Sequence, residues 1–173
     1  AFGGLYSGKL TAEYLPGDRL RDNENRYGVS LWHNQTTRNG FTGLINYNKV
    51  SDDDYYTDLS SDITSTSQTQ LLQQGMLTYG GGGWWNTSIN FQQYQTLQPD
   101  KDNPVLEQYR MLPQITFNAK KYDLLGADAV FLGQYTNFTK PEQRYNGTVL
   151  TLANGDPYPN GQRTVLYPQL SVP

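Results

Sequence analysis

Along most of this chain, every second residue changes character. In Trp85-Asn86-Thr87-Ser88-Ile89-Asn90-Phe91-Gln92, one side carries Trp85, Thr87, Ile89 and Phe91 and the other Asn86, Ser88, Asn90 and Gln92. Successive side chains of a strand point to opposite faces, whereas an amphipathic helix repeats its apolar residues every three or four positions. Such a segment is a strand with one apolar and one polar face. The same period returns in residues 111–119, where Ile115, Phe117 and Ala119 oppose Gln114, Thr116 and Asn118. It returns again around Leu10, Ala12 and Tyr14, and around Phe41, Ile45 and Tyr47. No sustained helical stripe and no capping box before an apolar run is present.

The alternation predicts nine strands, at 5–15, 26–37, 41–50, 70–79, 84–96, 108–119, 125–138, 146–152 and 163–172. Turn chemistry falls between them: Arg38-Asn39-Gly40, Gly80 to Gly83, Lys120 to Leu124 and Asn154-Gly155-Asp156-Pro157. Longer polar connections are expected at 16–25, 51–69 and 97–107. Alternating short and long connections suit an all-β, antiparallel, up-and-down meander. A strand of ~10 residues at ~3.3 Å each, tilted by ~45°, spans roughly 25 Å, the height of the apolar band of an outer-membrane barrel. Aromatic residues near the predicted strand ends, Trp84, Trp85, Tyr47 and Tyr135 among them, are candidates for interfacial girdles.

Composition narrows the classes. Mean hydropathy is -0.71 and 36% of residues are hydrophobic, yet 13% are aromatic, with fourteen Tyr. Disordered chains are poor in aromatics, so low hydrophobicity here does not mean disorder. A net charge of -3 gives no basic footprint for nucleic acid. The absence of Cys excludes zinc–thiolate and cysteine-nucleophile chemistry within the chain. A polar extracellular β-protein and a membrane barrel both remain, and strand length and aromatic placement favour the barrel.

The motifs that could carry chemistry are few. In Val50-Ser51-Asp52-Asp53-Asp54-Tyr55-Tyr56-Thr57-Asp58-Leu59, the carboxylates of Asp52, Asp54 and Asp58 are weak candidates for a hard cation. An EF-hand would need Gly at its sixth position and Glu at its twelfth, and counted from Asp52 those are Thr57 and Ile63. The favoured reading is a connection folded by an Asp side chain, Asp52 or Asp58, accepting backbone N–H groups, with Tyr55 and Tyr56 packed back on the rim. His33 is the only histidine and has no nucleophile elbow, so it reads as a strand-end residue. Gly80-Gly81-Gly82-Gly83-Trp84-Trp85 lacks the Lys-Ser/Thr of a phosphate loop and reads as a hairpin turn feeding a Trp pair. Pro113 and Pro168 fall inside predicted strands and read as a bulge or a strand start. Four N-glycosylation sequons begin at Asn34, Asn86, Asn137 and Asn146, and in a bacterial outer-membrane protein they are only Asn/Thr-rich strand sequence. No catalytic or cofactor-binding residue is expected.

Several stretches in order carry a resemblance: Glu13-Tyr14-Leu15-Pro16-Gly17-Asp18, Arg26-Tyr27-Gly28-Val29-Ser30-Leu31-Trp32-His33, Asn46 to Asp58, Arg110-Met111-Leu112-Pro113-Gln114-Ile115 and Arg163 to Leu170. Together, over most of 8–172, they resemble the barrel domain of the lipopolysaccharide-assembly (LptD, organic solvent tolerance) family. The resemblance implies a very large outer-membrane barrel plugged by the lipoprotein LptE and preceded by a periplasmic jellyroll that joins the lipopolysaccharide-transport bridge. It implies delivery of lipopolysaccharide to the outer leaflet of a Gram-negative outer membrane, without an enzymatic step. Residues 1–173 would then be part of one barrel domain, an interior section of eight or nine strands. A chain that begins at Ala1, ends in Ser171-Val172-Pro173 and has no jellyroll-like part fits a fragment. In that barrel Asn86, Ser88, Asn90, Gln92, Gln114, Thr116 and Asn118 would face a hydrated lumen. The rival expectations are a porin- or receptor-type barrel and a soluble β-sandwich that binds carbohydrate through Tyr and Trp.

Overall fold

The computed structural model describes residues 4–59, 68–100, 102–145 and 148–172. Its strands are β1 (Gly4–Asp18), β2 (Glu24–Thr37), β3 (Phe41–Val50), β4 (Gln70–Gly81), β5 (Trp85–Thr96), β6 (Arg110–Leu124), β7 (Ala127–Thr139), β8 (Arg144–Tyr145), β9 (Thr148–Val149) and β10 (Gly161–Ser171). One short helix, α1 (Tyr55–Asp58), lies between β3 and β4. Eight strands form one sheet in the order β1-β2-β3-β4-β5-β6-β7-β10, with each neighbouring pair antiparallel. This is the up-and-down meander that the alternation predicts, an open section with β1 and β10 at its two edges. β8 and β9 form a separate two-stranded ribbon.

The sheet is a single layer. A globular β-domain buries its apolar face against a second layer, but only Val50, Tyr55, Leu71, Leu97 and Ala127 are buried among the described hydrophobic residues. Four of them, Val50, Tyr55, Leu71 and Leu97, form a small cluster with Tyr56 and Leu59 against it. Leu10, Ile45, Leu77, Phe91, Ile115, Leu166 and Leu170 are all exposed. The described strands therefore contain no sandwich partner sheet.

The hairpin turns lie at one end of the sheet, at 38–40, 82–84 and 125–126, and the longer connections at the other. Most strand ends shift by one to three residues, with Gly80 and Gly81 in β4 rather than in the turn, and two expectations fail by more. Lys120 to Leu124 is not a turn: β6 runs through it to pair Leu124 with Ala127, and the reversal is made by Leu125 and Gly126, both at positive φ (54° and 85°). Tight hairpin turns need that left-handed pair to match strand twist; Leu125 carries no sequence signal for it, while Lys, Tyr and Asp look like turn residues. Of the expected strand 146–152, only Thr148–Val149 is a strand, residues 150–152 are not, and Asn146 and Gly147 lie outside the described residues, as does 60–67 of the long connection. Pro113 sits at an irregularity, the register shift between Met111 and Gln114, whereas Pro168 pairs with Phe131 inside the edge strand β10.

Candidate functional site

Register decides which side chains share a face. Asn86 pairs with Asn118, Ser88 with Thr116 and Asn90 with Gln114, so these residues and Gln92 lie on one side of the sheet. On β4, Gln74, Met76 and Thr78 face the same way, opposite Gln92, Asn90 and Ser88. On β7, Gln134 and Thr136 join them through Thr116 and Gln114. Trp85, Thr87, Ile89 and Phe91 point to the other side.

The polar side chains satisfy one another. Gln74 donates through Nε2 to Asn90 Oδ1 (2.9 Å) and Gln92 Oε1 (3.3 Å), and Gln92 donates to the Tyr94 hydroxyl (2.9 Å). Asn118 donates to Asn86 (3.0 Å), and Gln114 to Thr136 Oγ1 (3.2 Å). Asn48 accepts from Ser30 Oγ and donates to Asn46 Oδ1 and to the Leu72 carbonyl. Asn90 and Thr136 are buried by these neighbours. Buried amides need such partners; the outcome is a face of hydrogen-bonded amides and hydroxyls, interrupted by Leu44, Met76 and Leu132, that suits water or sugar rather than hydrocarbon.

On the opposite face an aromatic row runs along the hairpin-turn end. Phe41 meets Tyr79 (4.6 Å between ring centres), Tyr79 meets Trp85 (5.5 Å), Trp85 meets Phe117 (5.7 Å) and Phe117 meets Phe131 (6.0 Å). Gly81 pairs with Trp85, and a Cβ at Gly81 would collide with the indole lying over it. Trp84 stays in the turn, half exposed, and its carbonyl accepts the Lys120 N–H (2.7 Å). Tyr47 and Tyr135 share the apolar face but lie elsewhere: Tyr47 pairs with Leu31 and Gln73, Tyr135 with Ile115 and Thr164. His33 is within β2, not at its end, between Gly8 and Ile45 on that same face.

The acidic run closes onto arginine at the long-connection end. Arg26, 3% exposed, donates from Nε and Nη2 to both oxygens of Asp52 (2.9 and 2.8 Å), and from Nη1 to Asp18 (3.2 Å) and Asp58 (3.1 Å). Arg21 reaches Asp58 (2.6 Å) and Asp54 (2.9 Å). Asp52 also accepts the Asp54 N–H, so the run is folded by an Asp side chain as expected for a turn. Asp58 instead turns to the two arginines. Tyr55 is buried beside Arg26, its hydroxyl donating to Glu13 (2.7 Å). Burial by itself pushes the Asp52 carboxyl up, but hydrogen bonds from Arg26 and Ser51 outweigh it and hold it below the usual aspartate value. Burial, then the bond to Glu13, pushes the Tyr55 hydroxyl well above its ordinary value. The positive charge that Asp52, Asp54 and Asp58 face is guanidinium. Among the described residues no three His, Cys, Asp or Glu side chains converge as metal ligands.

Glutamine amides act as strand substitutes at this same end. Gln95 accepts the Val50 N–H (3.0 Å) and donates to the Val50 carbonyl (2.8 Å), where β3 and β4 have stopped pairing. Gln98 does the same for Val105 (2.8 and 2.7 Å). Gln143, itself buried, accepts from Glu107 N–H and donates to Val105 O. Sequence reasoning missed Arg26, Glu13 and these glutamines. An Arg at the start of a strand that pairs toward an acidic run was a signal; the glutamines are indistinguishable from the polar residues around them.

Comparison with known proteins adds the family. The family model described as LptD, LPS transport system D, matches residues 24–173. The chain belongs to the LptD family. It is 38% identical over 172 residues to a protein of Azoarcus sp. named LPS-assembly protein LptD, 99% of this chain and 19% of that one. Proteins of the same name from Nitrosospira multiformis and Nitrosomonas europaea are each 37% identical over 96% and 99% of this chain, and 17% and 22% of theirs. The chain thus spans about a fifth of the length of these LptD relatives.

Proposed function

We propose that this chain is a section of the wall of an outer-membrane barrel that assembles lipopolysaccharide into the outer leaflet of a Gram-negative outer membrane. The observation that carries this reading is the one-layer sheet with an exposed apolar face on one side and a hydrogen-bonded Asn/Gln/Thr/Ser face on the other. Such a sheet needs hydrocarbon against one face and a hydrated space against the other. The LptD relatives, named for LPS assembly, supply the cargo.

In this reading Asn86, Ser88, Asn90, Gln92, Gln114, Thr116 and Asn118 line the lumen. There the lipoprotein LptE sits as a plug and the saccharide part of lipopolysaccharide passes. Tyr47, Tyr135, Trp84 and Trp85 are interfacial, and the short turns face the periplasm, as in bacterial barrels generally. The periplasmic transport bridge is reached through parts of the protein other than residues 1–173. The wall section binds, insulates and shapes; energy for transport comes from elsewhere.

Photo-crosslinking from Asn90 and Gln114 in the full-length protein tests the assignment. Adducts to the lipoprotein or to lipopolysaccharide are expected from these positions and not from Ile89 or Ile115 on the opposite face. Adducts to bulk membrane lipid from Asn90 and Gln114 would reverse the two faces and end this reading.

A further inference from the structure

Of the troughs on the apolar face, the one over β6, β7 and β10 ends in a lysine. By register, Ala119, Phe131 and Pro168 form one row, and Lys121, Ala129 and Leu170 the next row toward the hairpin turns. Small side chains at Ala119 and Ala129 make a floor between the bulkier walls of Trp84, Phe131 and Leu170. The depression they line holds about 430 Å³ and is almost wholly carbon-lined. Lys121 stands at its turn-side end, beyond the aromatic row that ends at Phe131.

That position matters because an aromatic row marks headgroup level in a barrel wall. An ammonium one row further out sits where lipid phosphates lie. Among the described residues Lys121 has no ion pair. Its neighbour Lys120 is on the opposite face, with its ammonium over the Tyr122 ring (4.8 Å). The acidic Asp128 is also on that opposite face, two residues from Val130, the partner of Lys120, and accepts the Asp123 N–H. The apolar trough therefore ends in a lysine that makes no ion pair among the described residues. An acyl chain with a phosphate at its head has the matching shape and charge.

We propose that this trough is a binding site for an anionic glycerophospholipid of the leaflet at the hairpin-turn end, one acyl chain lying over Ala119 and Ala129 and the phosphate on Lys121. The inference rests on the membrane orientation proposed above. A lipid held there would fasten the β6–β7 hairpin, which extends beyond the turn of β4–β5, to the headgroup layer.

The test uses the full-length protein with its lipoprotein partner, released from nanodiscs of mixed phosphatidylglycerol and phosphatidylcholine and read by native mass spectrometry. Wild type is expected to retain phosphatidylglycerol preferentially. Lys121→Gln is expected to lower that preference about fivefold, the loss that one basic side chain near an anionic surface carries. Ala129→Phe, which fills the floor, is expected to lower retention of both lipids, while Lys120→Gln leaves both unchanged. Equal retention by wild type, Lys121→Gln and Ala129→Phe would overturn the site. Barrel folding, followed by heat-modifiable migration in gels, separates the two failures. A barrel that folds without lipid preference sinks only the site, whereas a chain that does not partition into the bilayer sinks the membrane reading as well.

Discussion

The two ends of the sheet are held by different physics. At the long-connection end the protein supplies its own interior. Arg26 is buried among Asp18, Asp52 and Asp58, and Val50, Tyr55, Leu71 and Leu97 pack into a cluster. Glutamine side chains stand in for strand partners. At the hairpin-turn end none of those four cluster residues is present, and the aromatic row from Phe41 to Phe131 faces outward. The first end has an inside without a membrane. The second borrows its inside from whatever surrounds the sheet. A barrel wall can therefore carry a structured cap on one rim and leave the other to lipid.

The comparison breaks most sharply at Arg26. Arg26→Met leaves three carboxylates facing one another. The expected cost is about 3 kcal/mol in the local stability of 51–59, the low end for breaking a buried pair because Asp52 and Asp58 keep access to water. Protease cleavage and amide exchange in 51–59 of the full-length protein would rise, with no change at 38–40 or 125–126. Unchanged protection of 51–59 would mean that the arginine is not what holds this end.

Leu71→Ala attacks the same end through packing. A loss of about 2–3 kcal/mol is expected, since the cluster is small and can partly collapse. It would appear as faster exchange at Val50 and Leu97, while the fluorescence of Trp85 at the other end stays as it was. Gln95→Met keeps the side-chain length but removes both bonds to Val50. Leaving those two backbone groups without partners costs about 1–2 kcal/mol, read as exchange of the Val50 amide.

Acid and base should act on this same end. The folded pKa of Asp52 is depressed, so its contribution is fully present above the ordinary aspartate pKa of about 3.9 and fades as pH falls through the folded value. Tyr55 is raised, so its contribution is present below the ordinary tyrosine pKa of about 10 and fades as pH rises beyond it. Protection of 51–59 is thus expected to be flat between these limits and to fall outside them. A fall near neutral pH would contradict the assignment.

The smallest effect belongs to the hairpin-turn end and has the opposite sign. Leu125 holds a left-handed backbone conformation, φ 54°, and is fully exposed. Leu125→Asn should stabilise the β6–β7 hairpin by about 1 kcal/mol, because asparagine visits this region with less steric penalty. Slower exchange of Leu124 and Ala127 would register it, with the arginine end unaffected.

Much of this was legible in the alternation. Trp85, Ile89, Ile115 and Phe117 had to share one face, and Asn86, Asn90, Gln114 and Asn118 the other, because the side-chain period of a strand leaves no choice. The strands bounded by Gly40 and Gly83 followed from their turns. The β6–β7 turn did not, since Leu125 in a left-handed conformation is a cost absorbed by the paired strands rather than a preference of leucine. The acidic run was legible as a connection, but not its partner. Arg26 and Asp52 are brought together by antiparallel pairing of β2 with β3, which sets Gly28 against Val50.

Sequence alone determined the local period, hence most of the strands and the two faces of the meander, because those depend on neighbours along the chain; that the apolar face meets no second layer came from the structure. Only the tertiary structure decided which end has an interior. That outcome depends on where strands stop pairing, on one buried guanidinium meeting three carboxylates from two segments, and on glutamine amides filling gaps in a ladder. These are long-range coincidences of position, and no residue announces them on its own.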